Sequence, residues 1–232
     1  MSKELNNIYK GVFIAAELLE KKSPIRLRQP EIAAWQYGRG GETIHRGYYC
    51  PSLIYDIVVG GANRGKLLKR LKNPATYVYG FDESGNLVSV KNNDSGTEEC
   101  IWRNGDLELG VTFDTSWVDT ERIICISVVE RHCGSIRSYV CCDCAADTQK
   151  IVNVYGEVYE YQCDRLCKVF CCRSIGSGFF YDRETRAHWE NHLHCFLIEF
   201  EHDGSGYLKS YQMTDLRSSA TQMFPVLLKR RA

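Results

Sequence analysis

Apolar residues along the chain recur first at helical spacing and then at alternating spacing. Leu5, Ile8, Tyr9, Val12, Phe13, Ala16 and Leu19 fall at i, i+3, i+4, i+7, which predicts one helix with a single buried stripe. Ser2 stands where an N-cap hydroxyl belongs, and Pro24 disfavours helical geometry in the residue before it, so the helix is expected to end at Lys21-Lys22-Ser23. From there to about residue 51 the pattern is poorly periodic and reads as loop around Gly38-Arg39-Gly40-Gly41. The run Ser52–Val59 reads as a short helix capped by Ser52, followed by a glycine-rich loop and a basic helical turn, Lys66–Lys72.

After Pro74 one hairpin signal follows another. Thr76–Phe81 and Leu87–Val90 flank the polar turn Asp82-Glu-Ser-Gly85, and Cys100–Trp102 and Leu107–Phe113 flank Asn104-Gly105, which predicts a type I′ turn. Ile123–Glu130 pairs with Ile136–Cys142 across Gly134-Ser135, Val152–Cys163 with Lys168–Cys172 across Asp164-Arg165, and His194–Glu201 with Tyr207–Met213 across Asp203–Gly206. About ten strands in sequential hairpins make local antiparallel pairing the default. The expected fold is α+β and mainly β: a large curved antiparallel sheet with N-terminal helices packed on one face. It forms a single domain over 1–232, with a helical and loop part (1–74) and a hairpin part (75–232). Alternation puts Glu199 and Glu201 opposite Ile198 and Phe200. On the next pattern, Tyr155, Glu157, Tyr159 and Tyr161 share one side, less cleanly.

Composition fits this picture: 44% hydrophobic, 25% charged and only 5 prolines is a globular profile with a substantial core. The apolar run Val12–Leu19 is interrupted by Glu17 and no small-residue cleavage site follows it, and no stretch is apolar enough to span a membrane. A cytoplasmic chain with no membrane partner is therefore expected, its 12 cysteines free thiols or metal ligands. Formal net charge is zero, which argues against nucleic-acid binding. The charge is segregated, however: residues 1–75 carry 13 basic against 6 acidic side chains, and residues 76–130 carry 3 against 11. The acidic segment, with Asp82, Glu83, Glu98, Glu99, Asp106 and Glu108 placed in or near hairpin turns, marks the surface expected to meet a basic protein partner.

Motifs for chemistry fall short of their requirements. Gly60-Gly-Ala-Asn-Arg-Gly65-Lys66 has phosphate-loop spacing, but Leu67 replaces the hydroxyl that holds Mg²⁺. Cys141-Cys142-Asp-Cys144, Cys163-x₃-Cys167-x₃-Cys171-Cys172 and His188-x₃-His192-x-His194-Cys195 offer zinc-type donors, with Cys163 and Cys171 expected on facing hairpin arms. Only Cys141/Cys144 has knuckle spacing, so the expectation is no metal and no cofactor. A zinc-stabilised binding module using Cys141, Cys144, His188 and His192 is the alternative. His188-Trp-Glu190-Asn-His192 has the order HxExH rather than HExxH, which leaves a metal- or Cys/His-dependent hydrolase as a third reading.

Tyr79-Gly-Phe81-Asp82-Glu-Ser-Gly85-Asn86-Leu87 resembles the YD-type hairpin of bacterial cell-surface and toxin-delivery proteins, and Asp203-Gly-Ser-Gly-Tyr-Leu208 keeps a fragment of it. The layout of an N-terminal helix, a glycine-rich basic middle and serial tyrosine-rich hairpins resembles bacterial immunity-type proteins encoded near polymorphic toxins. That resemblance implies a non-enzymatic cytoplasmic binder that neutralises a basic toxin domain by covering its active site.

Overall fold

The computed structural model describes residues 2–20, 31–41, 44–55, 63–70, 74–115, 122–145, 148, 150–174 and 192–225. Helix α1 (Lys3–Glu20) begins where expected, with the Leu5 backbone N–H donating to the Ser2 hydroxyl at 3.2 Å. Thirteen strands follow: β1 (Ala34–Arg39), β2 (Lys66–Leu67), β3 (Tyr77–Phe81), β4 (Leu87–Asn92), β5 (Thr97–Asn104), β6 (Leu107–Asp114) and β7 (Arg122–His132). The rest are β8 (Ser135–Ala145), β9 (Lys150–Gln162), β10 (Arg165–Ser174), β11 (Leu193–His202), β12 (Leu208–Asp215) and β13 (Thr221–Pro225). They form one antiparallel sheet in which strands β3 to β13 lie in chain order, with β1 beside β3 and β2 at the edge. The expected architecture, a mainly β sheet of sequential hairpins carrying an N-terminal helix, is the one observed, with α1 as the α-helix among the described residues and a 3-10 turn at Gly47–Tyr49.

Helix α1 lies over β7, β8 and β9 and buries Ile8, Val12 and Ala15 against Val128, Val140 and Val154. Two glycines let it approach closely. A Cβ on Gly11 would stand 2.7 Å from Val140 Cγ2, and one on Gly156 would stand 2.8 Å from Ile8 Cγ2. This seating turns the buried arc toward residues 8, 11, 12 and 15, so Phe13, expected on the stripe, is instead exposed. The opposite face is covered by residues 44–55. Here Ile54 packs on Val129, Tyr139, Tyr159 and Ile198, and Tyr49 packs on Tyr79 and Phe81.

All five predicted hairpins form, as β3–β4, β5–β6, β7–β8, β9–β10 and β11–β12. Their turns differ by one residue from several assignments. Asn104 pairs with Leu107, so the loop is Gly105-Asp106, and only Gly105 takes positive φ, at 58°. The left-handed pairs that define a type I′ turn occur instead at Cys133-Gly134 (48° and 82°) and Cys163-Asp164 (51° and 60°). Asp82–Asn86 and Asp203–Tyr207 share one turn design: the glycine N–H donates to the aspartate carbonyl, and the aspartate side chain accepts from a backbone N–H four residues on.

Strands β1, β2 and β13 were not expected. Ala-Trp-Gln-Tyr-Gly-Arg of β1 has no apolar alternation because it is held by backbone pairing to β3, with Gly38 leaving room for the Tyr79 ring. Lys66–Leu67 is a strand paired with β1 rather than the start of a helical turn. Ser52 does cap: its hydroxyl accepts from the Ile54 and Tyr55 N–H groups. The rest of that predicted helix, residues 56–59, and the start of the glycine-rich loop, residues 60–62, lie outside the described residues.

Candidate functional site

The chemistry of this fold is concentrated under the turn formed by residues 44–49. Arg46 sits there in left-handed backbone (φ 61°), four per cent exposed, with its guanidinium pressed onto the sheet. Its Nε donates to both carboxylate oxygens of Glu99 at 3.0 Å, its Nη1 to Glu108 at 2.5 Å and its Nη2 to the Ser127 hydroxyl at 2.9 Å. The cluster fits because β6 carries a glycine at its centre. A Cβ on Gly110 would stand 1.9 Å from Glu99 Oε1 and 2.5 Å from Arg46 Nη2. Arg103 also pairs with Glu108, through Nη2 at 2.8 Å. Burial opposes ionisation of both acids, but Arg46, with His45 for Glu99 and Arg103 for Glu108, outweighs it and holds both carboxyls below their ordinary values.

His45 extends the cluster toward β7 and β8. Its Nδ1 lies 2.9 Å from the Tyr139 hydroxyl and its Nε2 3.1 Å from Glu99. Burial opposes protonation of the ring, but the Glu99 carboxylate prevails and raises its pKa. Beside it, the Cys125 and Cys141 sulfurs are 3.2 Å apart, and a donor atom of His45 is within 4.8 Å of both. The thiol of Cys141 is held below its ordinary value, first by its hydrogen bond with Cys125 and then by His45.

A second buried polar group lies on β9. Glu157 is fully buried and accepts from the Ser52 hydroxyl at 2.6 Å and from the Tyr155 and Tyr159 hydroxyls. Burial pushes its carboxyl up to about 7 against these bonds and the nearby Arg64. Arg64 in turn donates to the Cys50 and Ser52 carbonyls, which fixes the loop that covers the carboxyl. Next to His45 and Glu99 is a cavity of about 160 Å³ reached by Tyr77 and Thr112. That is smaller than the roughly 300 Å³ at which small-molecule pockets begin.

The acidic residues singled out in the sequence separate into three groups. Asp82, Glu83 and Asp106 stand in the β3–β4 and β5–β6 turns, which a meander brings to the same end of the sheet. The Asn86 side chain and N–H donate to Asp82 and lower its pKa. Glu98 is half-buried and paired with Lys91 at 3.3 Å. Glu99 and Glu108, expected to reach solvent, are three and one per cent exposed; strand alternation turns them inward, where Arg46 neutralises them.

The cysteine groupings are also redrawn. Cys141 and Cys144 are three apart on one strand and point to opposite faces, with Cys144 packed under α1, so they make no knuckle. Cys163 is exposed at a turn while Cys171 pairs in register with Glu157, so these two are not neighbours. His192 is exposed at the start of β11 and His194 bonds Asp215 at 2.8 Å; His188 lies outside the described residues. His45, Arg46 and Gly110 carry no sequence signal of their own. Glu157 carried one, as a lone carboxylate among tyrosines on a strand.

No protein-family model matches the chain, and no curated protein matches it significantly.

Proposed function

We propose that the chain is a non-enzymatic protein-binding module whose acidic hairpin end engages a basic protein partner, as an immunity protein engages a toxin. The observation that supports this reading is the presence of exposed Glu83 and Asp106, with half-buried Asp82, together at one end of the sheet, while Glu99 and Glu108 are neutralised inside. An apolar anchor lies beside them: Trp35, 44% exposed, pairs in register with Gly80, two residues before Asp82. Exposed tryptophan next to charged residues is the composition of binding hot spots. A partner of this kind, such as a nuclease with a positive active site, is recognised through complementary potential.

The test is calorimetric titration of the chain with the domain encoded by the adjoining reading frame. Binding that is lost in Trp35→Ala and weakened in the triple variant Asp82→Lys/Glu83→Lys/Asp106→Lys is the expected result. No heat of binding from that domain, or equal affinity in all three proteins, would refute the reading.

A further inference from the structure

We propose that His45, Cys125 and Cys141 form a binding site for a thiophilic divalent cation of the zinc class. The site stands on geometry, independently of the partner proposed above. The three donor atoms come from three separate elements, the 44–49 turn, β7 and β8, and all lie within 4.8 Å of one another. Tetrahedral zinc with bonds of about 2.3 Å to sulfur holds two sulfurs about 3.8 Å apart. The Cys125 and Cys141 sulfurs, at 3.2 Å, need only open slightly to receive it.

The same pair is poorly placed for a disulfide. Cys141 is opposite Ser127 and Cys125 is opposite Asp143, so the two cysteines are diagonal neighbours across β7 and β8. Diagonal Cα atoms in an antiparallel sheet are about 7 to 8 Å apart, beyond the usual disulfide range of about 4.4 to 6.8 Å. A bridging ion joins the sulfurs without moving the strands.

The surroundings suit a ligand histidine. Metal-bound imidazole places its other ring nitrogen on a carboxylate, and His45 Nε2 lies 3.1 Å from Glu99, itself fixed by Arg46. Nδ1 is then the ligand atom, and the Tyr139 hydroxyl, 2.9 Å from it, has to give up this contact and turn aside for the ion to bind. Two cysteines and one histidine leave one position to water. Asp143, in register with Cys125 and exposed, stands beside the site. The ion would tie the covering turn to the sheet at a second point next to Arg46.

The site is tested by titrating reduced, metal-free protein with Co²⁺ alone under anaerobic conditions and reading the thiolate-to-cobalt charge-transfer band, followed by displacement with Zn²⁺. One equivalent of cobalt, a band abolished by Cys125→Ser or Cys141→Ser, and a band unchanged in the triple variant Cys133→Ser/Cys163→Ser/Cys167→Ser are expected. Absence of the band from the wild-type protein, or its survival in both single variants, overturns the proposal. Should the serine variants fail to fold, cadmium-113 resonance of the wild-type protein decides: a shift of two-sulfur ligation supports the site, and a shift without sulfur ligation overturns it.

Discussion

Replacing Glu157 by glutamine tests whether the second buried polar group is read correctly. The carboxyl faces Ser52, Tyr155 and Tyr159 directly, with Arg64 and Cys50 on the covering loop and Cys171 opposite on β10. Its pKa rises from an ordinary 4.5 to about 7 in the folded chain. Between these values the folded state holds a proton that the unfolded state has released, so stability falls as pH rises through this window and levels off above it. At about 1.4 kcal/mol per unit, the full effect is roughly 3 kcal/mol, of which some 2 to 3 kcal/mol develops between pH 5 and pH 8. Glu99 and Glu108, held below their ordinary values, stay ionised in the folded state throughout that range, and being shared by both proteins they drop out of the difference between them. The assay is urea denaturation of wild type and Glu157→Gln at intervals from pH 5 to pH 8, with chelator present throughout. Taking the difference between the two proteins cancels the titration of His45 and every other shared group. The glutamine variant should gain on the wild type by roughly 2 kcal/mol across the range. Parallel curves would show that Glu157 is ionised at every pH and that the three hydroxyls outweigh its burial.

Three further outcomes follow from the cluster on the other side of the turn. Arg46→Met strands two buried carboxylates and should cost about 3 to 5 kcal/mol in denaturant melts, and Arg46→Lys should not restore it, because a lysine cannot reproduce the forked contacts. A loss under about 1 kcal/mol would mean that Glu99 and Glu108 find other partners. Gly110→Ala should destabilise far more than Gly105→Ala, since the first added Cβ collides with Glu99 and Ser127 while the second meets open space at positive φ and costs about 1 kcal/mol; equal losses would refute the packing described under Arg46. Chelation should leave far-UV dichroism unchanged, because Arg46 already fastens the turn without an ion, whereas unfolding by chelator would make the metal the principal fastening.

Much of the fold was legible because hairpins are local. Turn residues and alternation specify each β-arm without reference to distant parts of the chain, and five of five predicted pairs formed. The exact turn residues were less legible, since Cys133 and Cys163 adopt left-handed backbone that their side chains do not advertise. β1 was hidden for a different reason: Trp35 and Gln36 are specified by pairing with β3, a long-range contact. The site was the least legible. His45 and Arg46 lie in an aperiodic stretch, and nothing near them in sequence foretells that Glu99, Glu108, Cys125 and Cys141 are beneath them. The charge count at Glu99 and Glu108 misled in turn, because it locates acids along the chain without saying which face of a strand they occupy.

Association kinetics decide whether the acidic hairpin end meets a basic partner, as proposed. With the domain encoded by the adjoining reading frame immobilised, the association rate of the chain should fall steeply between low and physiological salt. In Asp82→Lys/Glu83→Lys/Asp106→Lys it should be lower by about tenfold or more at low salt, with far-UV dichroism unchanged and melting lowered only by loss of the Asp82 turn bonds. An association rate indifferent both to salt and to these three reversals would rule out the proposed engagement.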